Sequence, residues 1–164
     1  MKSKILKYLK EFVFFIVVLT IVTNVTSFYK GRNISHTPFA INHPNFINSE
    51  KTITPNKPIL LHFWAVWCPI CKAEASNIES LSKKYQVITI AVQSGSDTKI
   101  KEYLQKNHLT FPVINDKEGK IANSFHIQAY PTTLIYDKGK NLLFSDVGYS
   151  TTFSLYLKMV WANL

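Results

Sequence analysis

The stretch ILLHFWAVWCPICK, residues 59–72, joins an apolar run of strand length to two cysteines that are separated by two residues. The run at 59–64 is almost continuously apolar, which is typical of a strand buried on both faces of a sheet. Pro69 fits the first turn of a helix, where its missing N–H group costs nothing. The stretch therefore predicts a buried strand that leads directly into a helix, with Cys68 at the junction and Cys71 one turn further on.

Strand and helix patterns alternate through the rest of the chain. The helix that follows Cys68 is expected over 69–85, with Glu79 on its outer side. Asp97 is expected to cap the next helix. The other predicted elements are strands at 87–92 and 111–114, helices at 98–107 and 119–126, a hairpin of 132–136 and 141–147, and an apolar helix at 151–163. This order favours an α/β fold in which helices cover both faces of a mixed sheet.

The beginning of the chain has the features of a membrane anchor. Residues 12–23 read FVFFIVVLTIVT and follow four lysines. A helix over residues 12–29 would be about 27 Å long, close to the roughly 30 Å hydrocarbon core of a bilayer. The positive-inside rule places residues 1–11 in the cytoplasm and the chain from residue 30 outside it. Residues 1–29 are therefore predicted to be a cytoplasmic basic stub plus a transmembrane signal anchor. A cleaved signal peptide is the alternative, although the sequence VTS at 25–27 is a poor cleavage site.

The charge distribution supports a membrane as the partner of this end of the chain. The formal net charge is +9, from 19 basic and 10 acidic residues. Six of the basic residues and one of the acidic residues fall within residues 1–32, beside the apolar run. This concentration argues against nucleic acid as a partner. Residues 30–57 are rich in Asn, Ser and Pro, which indicates a linker, and residues 58–164 form the predicted α/β domain.

The position of Cys68 and Cys71 predicts redox chemistry. Backbone N–H groups and the helix dipole favour an anion at the first turn, so the Cys68 thiol should ionise readily and attack a partner. Cys71 is near enough to close a disulfide and to resolve the mixed disulfide. Half of a zinc site and an inert structural bridge are the alternatives. A zinc site needs further ligands, and His62 is the one nearby candidate, so we expect no metal and no cofactor. A purely structural bridge is disfavoured because so short a disulfide loop would add little stability.

The chain resembles the thioredoxin superfamily at two places. Residues 63–72 (FWAVWCPICK) are similar to its active-site signature, and Tyr130-Pro131-Thr132 stands before an apolar strand, where the family carries its cis-proline. The resemblance implies a three-layer thioredoxin-like fold with a central mixed sheet. It also implies that Cys68 and Cys71 are catalytic, and that Tyr130, Pro131 and Trp67 bind the substrate. The residues expected to modulate the site are Pro69, Ile70 and His62.

More narrowly, the chain is similar to membrane-anchored thioredoxin-like proteins of the suppressor-for-copper-sensitivity D kind and to cytochrome-maturation thioredoxins. This likeness implies a protein-disulfide oxidoreductase in the bacterial inner membrane, with its C-terminal domain on the periplasmic side. Its expected partners are exported protein thiols or disulfides and an inner-membrane electron donor or acceptor. The direction of electron flow is expected to be that of a reductant. A disulfide-forming oxidase and a non-catalytic copper-binding module are the alternatives.

His62 departs from the family pattern, because many thioredoxins carry a buried Asp at this place. A histidine with an ordinary pKa near 6.5 could move protons in place of that carboxylate. A packed, neutral core histidine is the other interpretation of the residue.

Overall fold

The computed structural model describes residues 8, 10–15, 18, 41, 45–50 and 52–164. Residues 8, 10–15 and 18 are helical and exposed, and the rest of the predicted anchor over 1–29 lies outside the described residues. A search of the described residues finds no helix with the length and apolar character needed to cross a membrane. The anchor therefore stays a prediction from the sequence.

A five-stranded mixed sheet forms the centre of the described domain, and its strand order is β3-β2-β1-β4-β5. β1 pairs in parallel with β2, and β2 with β3, whereas β4 runs antiparallel to both β1 and β5. The strands are β1 (Ile59–Trp64), β2 (Gln86–Val92), β3 (Val113–Asp116), β4 (Thr132–Tyr136) and β5 (Leu142–Val147). Every residue of β1 is buried, as the apolar run at 59–64 predicts.

Helices cover both faces of the sheet. They are α1 (Pro69–Ser82), α2 (Asp97–Lys106), α3 (Lys120–Ser124) and α4 (Thr152–Ala162). Because successive side chains of a strand point to opposite faces, Leu60 and Trp64 of β1 pack in one core with residues of α1, α2 and α4. Phe63 packs in the second core, which includes Ala122 of α3. The predicted thioredoxin-like α/β fold with a mixed sheet is confirmed.

Several predicted boundaries differ from those of the structure. α1 ends at Ser82 and not at residue 85, since the N–H groups of Lys84 and Tyr85 both donate to the carbonyl of Leu81 and close the helix. The cap of α2 is Ser96, whose Oγ accepts from the N–H of Lys99 at 3.2 Å, and Asp97 is the first helical residue. α3 covers 120–124 and α4 covers 152–162, each shorter than predicted.

Glu79 is buried, against the prediction that it lies on the outer side of its helix. Its carboxylate accepts hydrogen bonds from Thr110 N at 2.7 Å, from Thr110 Oγ1 at 2.7 Å and from Phe111 N at 3.1 Å. Burial raises the pKa of this carboxyl, but the hydrogen bonds from Thr110 and Phe111 outweigh burial and lower the pKa below its ordinary value. These bonds also explain why β3 begins at Val113 and not at residue 111, because the N–H groups of 110 and 111 bind the carboxylate.

Glu79→Ala is expected to lower the free energy of unfolding by about 3 kcal/mol, since it leaves two backbone N–H groups without their charged acceptor. Chemical denaturation of the purified full-length chain measures this change. Glu102→Ala is the matched control, because Glu102 is exposed on α2, and it should change stability by less than about 0.5 kcal/mol. Equal effects of the two substitutions would show that the Glu79 contacts do not stabilise the fold.

Part of the segment assigned to the linker lies against the sheet. Ile47 N donates to the carbonyl of Val113 at 2.9 Å, and the Asn48 side chain bonds both Phe111 O and Val113 N. These contacts cover the outer edge of β3, which would otherwise present unpaired backbone groups. Residues before the predicted domain start at 58 therefore add to the packed structure.

Candidate active site

The two cysteines lie where β1 passes into α1. Cys68 is the N-cap of α1, Pro69 follows in the first turn, and no acidic residue stands in that turn. The Cys71 N–H donates to Cys68 Sγ at 3.1 Å. The sulfurs form a disulfide whose Cα atoms are 5.3 Å apart. This N-cap position aims a backbone donor and the positive end of the helix at the Cys68 sulfur, and both favour its thiolate when the pair is reduced.

The predicted substrate-binding loop faces these cysteines. The Tyr130–Pro131 peptide bond is cis, and Cys68 Sγ lies 3.7 Å from the carbonyl oxygen of Tyr130. Residues that are 62 positions apart in the chain are thus brought into contact. A peptide bound beside the Tyr130 backbone would have its own sulfur within reach of Cys68.

Apolar side chains surround the disulfide. Trp67 packs edge-on against Tyr130 with ring centroids 5.9 Å apart, and its Nε1 donates to the carbonyl of Gln93 at 3.1 Å. Trp67 is 55% exposed and Ile70 is 49% exposed, whereas Cys68 is 4% exposed. The Cys68 sulfur is therefore largely covered, and it lies between two apolar side chains that are exposed.

His62 lies in the core, on the same face of β1 as Leu60 and Trp64. Its side chain is 2% exposed, and Nδ1 lies 2.9 Å from Thr133 Oγ1. Burial lowers the pKa of His62 to about 3, so the imidazole is neutral at physiological pH. The arrangement supports the interpretation of a neutral core histidine over that of a proton carrier.

His62→Leu is expected to leave the pH profile of disulfide exchange unchanged between pH 5 and 9, because His62 does not titrate there in the folded chain. Insulin reduction by the full-length chain, followed across that pH range, tests this expectation. Thr133→Val removes the same hydrogen bond from the other side and is the matched control for packing effects. A profile that shifts in H62L and not in T133V would assign a proton-transfer role to His62.

Glu74 is a candidate functional residue that the sequence interpretation missed. It follows Cys71 by one turn of α1 and is fully buried. Its Oε1 accepts from Ser150 N at 3.0 Å, and its Oε2 has no hydrogen-bond partner among the described residues. Burial raises the pKa of Glu74 to about 8; the Ser150 hydrogen bond opposes this shift and the nearby Asp146 adds to it.

Glu74 can therefore hold or release a proton near neutral pH, next to the cysteine that must lose its proton to resolve a mixed disulfide. The sequence does carry a signal for this residue. Glu74 falls on the same helical face as Cys71, Ile78 and Leu81, and a carboxylate on an inner face is unusual enough to mark a site.

A polar network connects Glu74 to the surface. Ser150, whose N–H binds Glu74, has its Oγ 3.4 Å from Asp146 Oδ2. Lys158 Nζ donates to Asp146 Oδ1 at 2.6 Å, and both of these side chains are about one quarter exposed. The network joins α1, β5 and α4 behind the cysteines. Within the described ranges, no group of three or more His, Cys, Asp or Glu side chains could hold a metal ion.

Comparison with known proteins gives the family. The model of the AhpC/TSA family matches residues 43–144. A thioredoxin-like protein of Haemophilus influenzae is 34% identical over 116 residues, which are 70% of this chain and 69% of the relative. The thiol-disulfide oxidoreductase ResA of Bacillus cereus is 28% identical over an alignment that covers 90% of this chain and 95% of the relative.

Solved structures show the same fold. The crystal structure of StoA from Bacillus subtilis has a TM-score of 0.60 and 21% sequence identity, and it covers 75% of this chain and 98% of StoA. The likeness to thioredoxins inferred from residues 63–72 and from Pro131 is thus confirmed. Given its Cys68–Cys71 pair and these relatives, the chain belongs to the AhpC/TSA family and is a thioredoxin-like thiol-disulfide oxidoreductase.

Proposed function

We propose that the chain is a membrane-tethered reductant of protein disulfides on the outer side of the bacterial cytoplasmic membrane. The observation that carries the proposal is the Cys68–Cys71 pair at the start of α1, with the carbonyl of Tyr130 beside Cys68. Exported proteins with unwanted disulfides are the proposed clients, and an electron donor in the membrane would return the pair to its dithiol form.

The proposed direction rests on how little the site adds, beyond the helix N-terminus itself, to the stability of a Cys68 thiolate. A dithiol becomes strongly oxidising when its reduced form is well stabilised. In the described part of the chain, Cys68 Sγ accepts one hydrogen bond, from the Cys71 N–H. Pro69 and Ile70, the two residues between the cysteines, provide no charge and no side-chain donor. The reduced form is therefore not especially favoured, which suits a reductant.

The equilibrium potential of the Cys68–Cys71 couple tests the direction. We expect a value toward the thioredoxin end of the family range, which runs from roughly −270 to −120 mV. Equilibration of the full-length chain with glutathione buffers, followed by alkylation and mass measurement, gives this potential. A value near −120 mV would instead identify a disulfide-forming oxidase.

The location is proposed from the sequence of residues 1–29, with its four lysines before the apolar run. A reporter enzyme that is active only outside the cytoplasm, fused at residue 57, should be active, and the full-length chain should stay in membranes after alkaline extraction. A chain released by alkali would lack the tether.

Titration with Cu(I) beside insulin reduction separates the remaining alternative, because tight copper binding without turnover would indicate a copper-binding module.

A further inference from the structure

The last helix exposes apolar residues that the domain itself does not cover. Leu155, Met159 and Ala162 of α4 are buried against the domain. A second set of apolar side chains on α4 is exposed, and we name it the outer stripe. It consists of Phe153 (71% exposed), Leu157 (51%), Val160 (39%) and Trp161 (66%). Their spacing of four, three and one residues places them on one side of the helix. α4 is therefore apolar on two sides, and one side faces solvent in the domain.

The charges around the outer stripe are positive. Within α4 the single charged residue is Lys158, which pairs with Asp146. The exposed Lys84 follows the end of α1, and its Nζ lies 5.9 Å from the ring of Tyr156 on α4, whereas Lys83 pairs with Glu79. The nearby carboxylate of Glu79 turns inward to Thr110. An apolar helix face that carries Trp and Phe, with Lys84 beside it and with the Asp146 carboxylate paired to Lys158, has the chemistry of a surface that binds anionic lipid.

The position of α4 relative to the chain entry agrees with such a partner. α4 runs beside α1 in the same direction: Thr152 bonds Asn77 near its start, and Tyr156 packs against Tyr85 further along. Asn163, just after α4, lines one cavity together with Lys57, the last residue of the linker before β1. A linker that comes from the bilayer would thus enter the domain next to the end of the outer stripe.

We propose that the outer stripe docks the domain onto the anionic lipid surface of the membrane that holds the chain. The inference rests on the proposed tether, which keeps the domain close to that surface. Docking would fix the orientation of the domain, because α4 is bound to α1 through Thr152 and Asn77 and through Tyr156 and Tyr85.

Fluorescence quenching by lipids tests the docking. The full-length chain is reconstituted into vesicles of phosphatidylcholine and phosphatidylglycerol with or without bromine on the acyl chains. The difference in emission between the wild type and Trp161→Phe reports Trp161 alone. We expect this component to be quenched by brominated lipid, and to lose its quenching in vesicles of phosphatidylcholine only. Phe153→Ser with Leu157→Ser should lower the equilibrium constant for docking roughly a hundredfold, since each apolar side chain withdrawn from water contributes about tenfold.

Leu143→Ser is the matched control, because Leu143 is exposed to a similar extent but lies on β5. It should leave the quenching of Trp161 intact. Flotation of the vesicles on a density gradient measures the tether separately. A chain that floats with the vesicles while its Trp161 stays unquenched would overturn the docking and keep the tether, and a chain that does not float would overturn both. The emission of Trp161 could instead shift to shorter wavelength as the protein density rises, without quenching by bromine. This result would show that a second copy of the chain covers the outer stripe, and it would also overturn the proposal.

Discussion

A Cys71→Ser chain is expected to accumulate a covalent mixed disulfide with its client proteins, whereas a Cys68→Ser chain is expected to form none. In the reducing direction, the Cys68 thiolate attacks a client disulfide, forms a bond to one client sulfur and releases the other as a thiolate. The Cys71 thiolate then attacks the Cys68 sulfur and expels the second client thiolate. Two electrons have passed to the client, and the chain holds its Cys68–Cys71 disulfide. Without Cys71 the sequence stops at the mixed disulfide.

The structure gives these roles to the two cysteines because Cys68 receives the Cys71 N–H at the helix N-terminus and faces Tyr130, while Cys71 is 2% exposed. Non-reducing electrophoresis and mass spectrometry of the C71S chain incubated with insulin should detect the adduct, and dithiothreitol should release it. Insulin reduction by the C68S chain should fall to the rate of the buffer alone. An adduct formed by the C68S chain would reverse the assignment. A C71S chain that forms no adduct, with Cys68 inert to alkylation at neutral pH, would contradict the mechanism.

Local sequence signals were sufficient for the centre of the fold and for the cysteines. The buried strand β1 and the helix that begins after Cys68 could be predicted because a continuous apolar run and a proline at a helix start are both local features. The contact between Cys68 and Tyr130 could be predicted only through the resemblance to thioredoxins, since nothing local connects two residues that are 62 positions apart.

Tertiary contacts explain what the sequence interpretation missed. Glu79 is buried because its carboxylate accepts a hydrogen bond from the N–H group of Thr110, which lies 31 residues away in the chain. The Glu74 carboxylate is held in the same way by the N–H group of Ser150, 76 residues away. A charged residue on a helix is usually exposed, so the pattern of α1 alone gives the wrong side for Glu79. In α4 the difficulty is different, because the helix is apolar on two sides and periodicity does not say which of them packs on the sheet.

As far as His62 and Glu74 are concerned, the stability of the oxidised chain is expected to be nearly constant between pH 4.5 and 6.5. It should then fall by about 2 kcal/mol between pH 6.5 and 8. Burial lowers the pKa of His62 from 6.5 to about 3, so between these values the unfolded chain binds a proton that the folded chain does not. Stability therefore rises with pH in that window. Burial raises the pKa of Glu74 from 4.5 to about 8, so here the folded chain binds the extra proton and stability falls as pH rises. Each group contributes about 1.4 kcal/mol per pH unit, and the two slopes cancel where the windows overlap.

Two substitutions separate these opposing effects. His62→Leu should replace the constant region by a continuous fall in stability from pH 4.5 to 8, since only the Glu74 slope remains. Glu74→Gln should do the opposite, with stability rising from pH 4.5 to 6.5 and then staying level to pH 8. Urea denaturation of the full-length chain at a series of pH values measures both, and the intact disulfide keeps thiol titration out of the curves. Glu102→Gln, at an exposed position of α2, should reproduce the wild-type curve. If the E74Q chain lost stability above pH 6.5 as steeply as the wild type, the carboxyl beside Cys71 would already be ionised at neutral pH. A carboxylate with so low a pKa would be a poor base for the proton that Cys71 must lose.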